Sequence, residues 1–153
     1  MRRRTIDRDQ QSDLHWLDIE DLVEVEVTSE ASGYPIESAL LPAGTTGWRA
    51  AEPGNQLIRL LFDRPQPLRR IRVKFIEPDL ERTQEYLLRY ASGGDSALRE
   101  IVRQQWSFSP MGATCEVEDH HVELSDVTVL ELSINPDISG GQAVASLAQL
   151  RLA

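Results

Sequence analysis

The chain has 153 residues, 41% of them hydrophobic, and carries 16 basic against 25 acidic side chains for a net charge of −9. That length suits one domain with a single core, and the hydrophobic content argues against wholesale disorder. An acidic body repels phosphate backbones, which excludes nucleic acid as an expected partner, and Arg2, Arg3 and Arg4 read as a solvated terminus.

No run approaches the roughly 20 apolar residues of a spanning helix, so no membrane partner is expected. After the Arg triplet comes Thr5-Ile6-Asp7-Arg8-Asp9-Gln10, where a secretory signal would need an apolar run. Cys115 is the single cysteine, leaving no internal disulfide and no thiol cluster for structural zinc. These features lead to the expectation of a cytoplasmic protein.

Along the chain, residues 1–12 are polar and read as a flexible N-terminal segment, with residues 13–153 as a single domain. Asp13–Leu22 offers a short helical pattern, with Leu14, Leu17 and Leu22 near one face and Ser12 placed to cap it. His15 reads as exposed and Trp16 as a plug for one end of the domain. The period then changes to two. Val23, Val25 and Val27 alternate with Glu24, Glu26 and Thr28, as in a half-buried strand. Gln56–Phe62 is a more apolar strand, which Asp63-Arg64-Pro65-Gln66-Pro67 is expected to end.

Ile71, Val73 and Phe75 alternate with Arg70, Arg72 and Lys74, the clearest strand in the chain. Tyr86, Leu88 and Tyr90 form the next, stopped at Ser92-Gly93-Gly94-Asp95. Ser96–Phe108 fits both periods and reads as a turn or short helix feeding a strand. Short strands follow near Thr114–Glu118 and Val122–Leu124. Leu130, Leu132 and Ile134 then alternate with Glu131 and Ser133, and Val144–Leu152 closes the chain after a Pro/Gly loop. About eight short strands with a short N-terminal helix and no βαβ rhythm predict an all-β fold, an antiparallel jelly-roll β-sandwich. Ile71, Val73, Phe75, Tyr86, Leu88, Leu130, Leu132 and Ile134 are the expected core.

Few residues suggest chemistry. Within Glu116-Val117-Glu118-Asp119-His120-His121, strand geometry puts Glu116, Glu118 and His120 on one face and Asp119, His121 and Glu123 on the other. Adjacent histidines point apart and cannot easily share an ion, so the segment reads as an exposed acidic hairpin or loop. Ser139-Gly140-Gly141 lacks the Lys-Ser/Thr of a phosphate loop, and no Gly-x-Ser-x-Gly elbow is present. Cys115 reads as a small buried hydrophobe. No enzyme, no metal and no cofactor is expected.

One stretch carries a resemblance. Thr28–Trp48 runs from a strand into Ser-Glu, a Tyr-Pro turn, a Glu-Ser-Ala-Leu segment and a Thr-x-Trp closure. With the closing Ala145–Leu152, it resembles the discoidin domains (coagulation-factor type C domains), relatives of the family 32 carbohydrate-binding modules in the galactose-binding-like superfamily. Their pattern has Ala-x-Asp-Gly before Thr-x-Trp. Here Thr46 and Trp48 match, but Leu41 stands in place of the Asp and Pro42 in place of the Gly. The carbohydrate-binding relatives hold a structural calcium in that loop, completed by a Glu in the last strand whose position here is Gln149. Calcium needs six to eight oxygen ligands, and without both carboxylates no tight site is expected.

The resemblance implies binding through loops at one end of the sandwich, mapped here to Ser29–Pro35, Glu77–Gln84 and Asn135–Ala143. Tyr34, Glu77, Arg82 and Asn135 are the ligand-binding candidates, with Arg82 expected as an exposed loop charge. None of the three loops contains His, and the last contains no aromatic. The implied function is a non-catalytic carbohydrate-binding module with a saccharide partner. The competing reading is a cytoplasmic protein–protein interaction module, a subunit of a larger assembly. For that reading, the strand face Arg103–Phe108 is a second possible contact surface.

Overall fold

A computed structural model of the chain describes residues 1–3 and 16–153. His15 and most of the expected N-terminal segment lie outside the described residues. The described part of the expected helix is not helical. Trp16–Ile19 has no regular structure, and a turn follows in which Leu22 N–H donates to Ile19 O at 3.1 Å. Leu17 N–H donates to Leu152 O at 2.7 Å, so this segment satisfies its backbone against the last strand instead of internally.

Eight strands and one short helix follow: β1 (Val23–Val27), α1 (Glu37–Leu40), β2 (Trp48–Pro53), β3 (Gln56–Ile76), β4 (Arg82–Ser92), β5 (Arg99–Phe108), β6 (Cys115–Asn135), β7 (Val144–Leu147) and β8 (Gln149–Leu152). Every pairing is antiparallel. β3 and β6 are long, bent strands shared by two layers. One layer runs β1, the first half of β3, the second half of β6, β4 and β5. The other holds the second half of β3 between β8 and the first half of β6, with the β2–β7 pair as a separate small sheet.

Pro65 and Pro67 do not end the strand as their chemistry suggested. They sit where the β3–β6 register shifts, between Leu61 and Arg70, and Asp126 on the partner strand takes a φ of +53°. The prolines fall on bulges where no ladder donor is required, so the strand bends and folds back over itself. Likewise the segments near 114–118 and 122–124 are one continuous strand with the segment after them, β6. The Ser96–Phe108 stretch resolves as strand β5 with no helix. The last segment breaks at Ala148, whose N–H donates to Lys74 O at 2.8 Å.

The alternating apolar positions face each other between the layers. Ile71, Val73, Phe75, Tyr86, Leu88, Leu130, Leu132 and Ile134 are all buried. Phe75 and Tyr86 meet across the interior with ring centroids 5.3 Å apart. Trp48 is buried too, its indole N–H donating to Ser29 O at 3.1 Å. On the outer face, Arg59 and Arg89 flank the fully buried Glu131 in one cross-strand row. Cys115, expected inside, is exposed at the start of β6.

Candidate functional site

The bent topology gathers strand ends at one pole. β1 and β5 end there, β4 begins there, and β3 and β6 both begin and end there, through the pairs Val27–Ile58, Gln56–Ile134, Glu85–Asn135, Arg82–Phe108 and Ile76–Cys115 and the Glu77–Arg82 ion pair. The loops 29–35, 77–84 and 135–143 therefore meet.

Arg82 joins two of these loops, but not as the exposed charge that its loop position suggested. It opens β4 on the inward face, 4% exposed, with its guanidinium 4.9 Å over the Phe108 ring. Its Nε donates to Glu77 at 2.7 Å, and Nη1 donates to Pro136 O at 2.6 Å and to Gln84 Oε1 at 3.2 Å. A buried guanidinium needs such partners for its donors, and here they come from both sides of the pole. Ile138 N–H adds a bond to Thr83 O at 2.9 Å. Glu77 and Arg82 are thus a clasp, already spent on each other and on Pro136.

Tyr34 and Asn135 remain accessible on either side. Tyr34 is half-buried and fixed through its backbone: its N–H donates to Ala31 O at 3.1 Å and its carbonyl accepts from Arg49 N–H at 3.4 Å. Arg49 then lays its guanidinium 4.8 Å over the Tyr34 ring. The ring borders a cleft of about 310 Å³ that also takes in Thr45, Lys74, Pro78 and Gln149. Asn135 borders a smaller depression of about 210 Å³ with Asn55 and Asp137. Its side-chain oxygen accepts from Asp137 N–H at 3.3 Å.

The loop after α1 is held by side chains. Ser38 Oγ accepts from the N–H groups of Thr46 and Gly47, each at 3.1 Å. Gly44 is required there, since a Cβ would lie 1.9 Å from Ser38 O. Arg151 donates from β8 to Ala39 O and Leu41 O at 2.8 and 3.2 Å. A cationic side chain thus occupies the carbonyls around Leu41, the position where the resemblance led us to look for a calcium carboxylate. Sequence reasoning missed Arg151. Its signal is an arginine alternating with the buried Leu150 and Leu152 of the closing strand.

The histidine–carboxylate segment lies within β6 and is not an exposed hairpin. Glu116 is 1% exposed, and neither carboxylate oxygen makes a hydrogen bond. Burial pushes its carboxyl up to about 7, with the charge of Glu118 adding to the rise and Gln84 opposing it. Burial also lowers the His120 pKa and raises that of Tyr86, and the Tyr86 hydroxyl and His120 Nε2 share a hydrogen bond at 2.6 Å. Among the described residues no group of three or more His, Cys, Asp or Glu is arranged to hold a metal. On β5, Phe108 is buried and Trp106 half-buried, while Arg103 and Gln105 are exposed and bonded to Glu85.

No protein-family model matches the sequence, and no curated protein matches it. Solved structures do share its architecture. The family 32 module of AlyQ, in complex with 4,5-unsaturated mannuronic acid, matches with a TM-score of 0.62 at 14% identity, over 87% of this chain and 95% of that one. A family 32 module from a family 31 glycoside hydrolase of Clostridium perfringens gives 0.65 at 16% identity, over 93% and 96%. The family 32 module of NanJ from C. perfringens, in complex with galactose, gives 0.59 at 14% identity, over 85% and 92%.

Proposed function

Starting from a chain with the discoidin-like, galactose-binding β-sandwich fold of the family 32 modules, we propose that it is a non-catalytic saccharide-binding module that works through its loop pole. The observation that carries this reading is the clasp by which Arg82 ties loop 77–84 to loop 135–143, with Tyr34 and Asn135 on accessible depressions at the same pole. Binding residues on loops held by a packed scaffold suit recognition, because little ordering remains to be done when the ligand arrives. Tyr34 offers an aromatic surface for sugar C–H groups, and Asn135 an amide for hydroxyls. Glu77 and Arg82 position the loops and do not themselves touch the ligand. The neighbours solved with mannuronic acid derivatives and galactose support the class of ligand.

The test is a glycan array on the intact chain, followed by calorimetry on Tyr34→Ala and Asn135→Ala. Binding that drops at least tenfold in one variant, with an unchanged melting curve, is the expected result. An array with no bound glycan, beside a stable partner recovered from lysate, would favour the protein-interaction reading instead.

A further inference from the structure

The Tyr34 cleft has an unusual charge for this protein. Its charged lining consists of Arg49 and Lys74, with no carboxylate, in a chain of net charge −9. Neither side chain is ion-paired among the described residues, whereas Arg59, Arg70, Arg82, Arg89 and Arg103 each pair with an acid. Arg49 is anchored through its side chain, and Lys74 through its backbone. Arg49 is fixed over the Tyr34 ring, and Lys74 lies in the middle of the sheet, paired with Gln149 on β8. Two cations without an ion-pair partner on one cleft, beside a half-buried aromatic ring, suit an anion that also has an apolar face.

We propose that this cleft takes a carboxylate-bearing saccharide, a uronic acid residue, with the sugar ring against Tyr34 and the carboxylate between Arg49 and Lys74. This rests on the saccharide-binding reading above and narrows it to acidic sugars. The planar guanidinium can grip a carboxylate with two parallel bonds, and Lys74 adds a point charge. Thr45, exposed on the rim, and Gln149 supply polar groups for ring hydroxyls.

The geometry also favours more than one sugar residue. Gln149 borders a second cleft, of about 520 Å³, that contains Arg72. Arg72 and Lys74 are two residues apart on one face of β3, or about 7 Å. The Arg72 Nε is buried with no hydrogen-bond partner, and the side chain has no ion pair among the described residues. Asp18 and Glu20 share that second cleft, so the uncompensated site is the one beside Tyr34 and Arg72 extends it along β3. An acidic oligosaccharide lying across β8 would meet both.

The experiment is calorimetry of the intact chain with galacturonate, mannuronate and glucuronate trisaccharides, each beside its methyl ester, at two salt concentrations. We expect at least one free acid to bind and its ester to bind at least tenfold more weakly. Added salt should weaken the free acid selectively, and Lys74→Met and Arg49→Met should each cost at least tenfold without moving the melting temperature. An ester or neutral glycan that binds as well as the acid overturns the acidic specificity while leaving saccharide binding intact. An acid that binds equally well to both variants moves the site elsewhere and also overturns the inference. If neither these probes nor a neutral glycan array gives binding, the saccharide reading falls, and this inference with it. A single-stranded oligonucleotide bound as tightly as the uronates would make the face a general anion patch, which also overturns it.

Discussion

The guanidinium of Arg151 donates to the carbonyl oxygen of Ala39 at 2.8 Å, tying the last strand to the short helix over 112 positions of sequence. The same guanidinium reaches Leu41 O. Carbonyl groups turned inward around one point need a cation or donors, and a tethered side chain meets that need without a metal. Arg151→Met should therefore lower stability by about 1.5–3 kcal/mol, the range for hydrogen bonds to a charged group. Melting curves with calcium and with chelator should coincide for the unaltered chain. A calcium-dependent rise of several degrees would refute this account of the loop.

Arg82→Ala should be a stability variant first and a binding variant second. The side chain is buried, and its removal strands the Glu77 carboxylate and the Pro136 carbonyl. Breaking a buried pair by deleting one partner is costly, and Glu77 keeps some access to water, so about 2–4 kcal/mol is expected in urea denaturation. Arg82→Lys should recover only part of this, because an ammonium cannot bridge Glu77, Gln84 and Pro136 together. A neutral Arg82→Ala would mean that the clasp does not hold the pole.

The core prediction is the simplest. Val73 is fully buried in the second half of β3 between β8 and β6. Val73→Ala should cost on the order of 1–3 kcal/mol from lost burial and the cavity left behind. Lys74→Ala, one residue along on the outward face, should change folding stability little.

The strands were legible because alternation reports which face is wet: residues 71–75 alternate without exception, and 130–134 alternate in residue type although Glu131, held by Arg59 and Arg89, is buried too. What alternation does not carry is continuity through a bend. Pro65 and Pro67 read locally as a stop, yet they fall at a shift in register where the ladder asks nothing of them. Sequence placed Tyr34 and Asn135 on loops, where they are, but misread Arg82 as an exposed loop charge. Charge in a polar segment suggests solvent, and only the tertiary partners Phe108 and Pro136 reveal a buried arginine. Glu116 was misjudged for the same reason, since its partners across the layers are distant in sequence.

Glu116 supplies the last prediction, one of pH. It feels the charge of Glu118 on its own strand and lies near Gln84 and Tyr86 of β4. Its carboxyl titrates at about 7 in the folded chain against an ordinary 4.5, so the folded state holds its proton the more tightly. The contribution of the neutral carboxyl is fully present below about pH 4.5 and is lost as pH rises through 7, where the buried site must accept a charge. Glu116→Gln keeps the shape and removes the ionisation. Relative to the unaltered chain, it should be near neutral at pH 4 and more stable by about 1–3 kcal/mol at pH 8. The lowered pKa of His120 works the other way, favouring the folded state as its imidazole loses its proton, and it is common to both chains and cancels in the comparison. Denaturant midpoints of both chains at the two pH values decide the matter. A difference that does not change with pH would show that Glu116 does not ionise within this window.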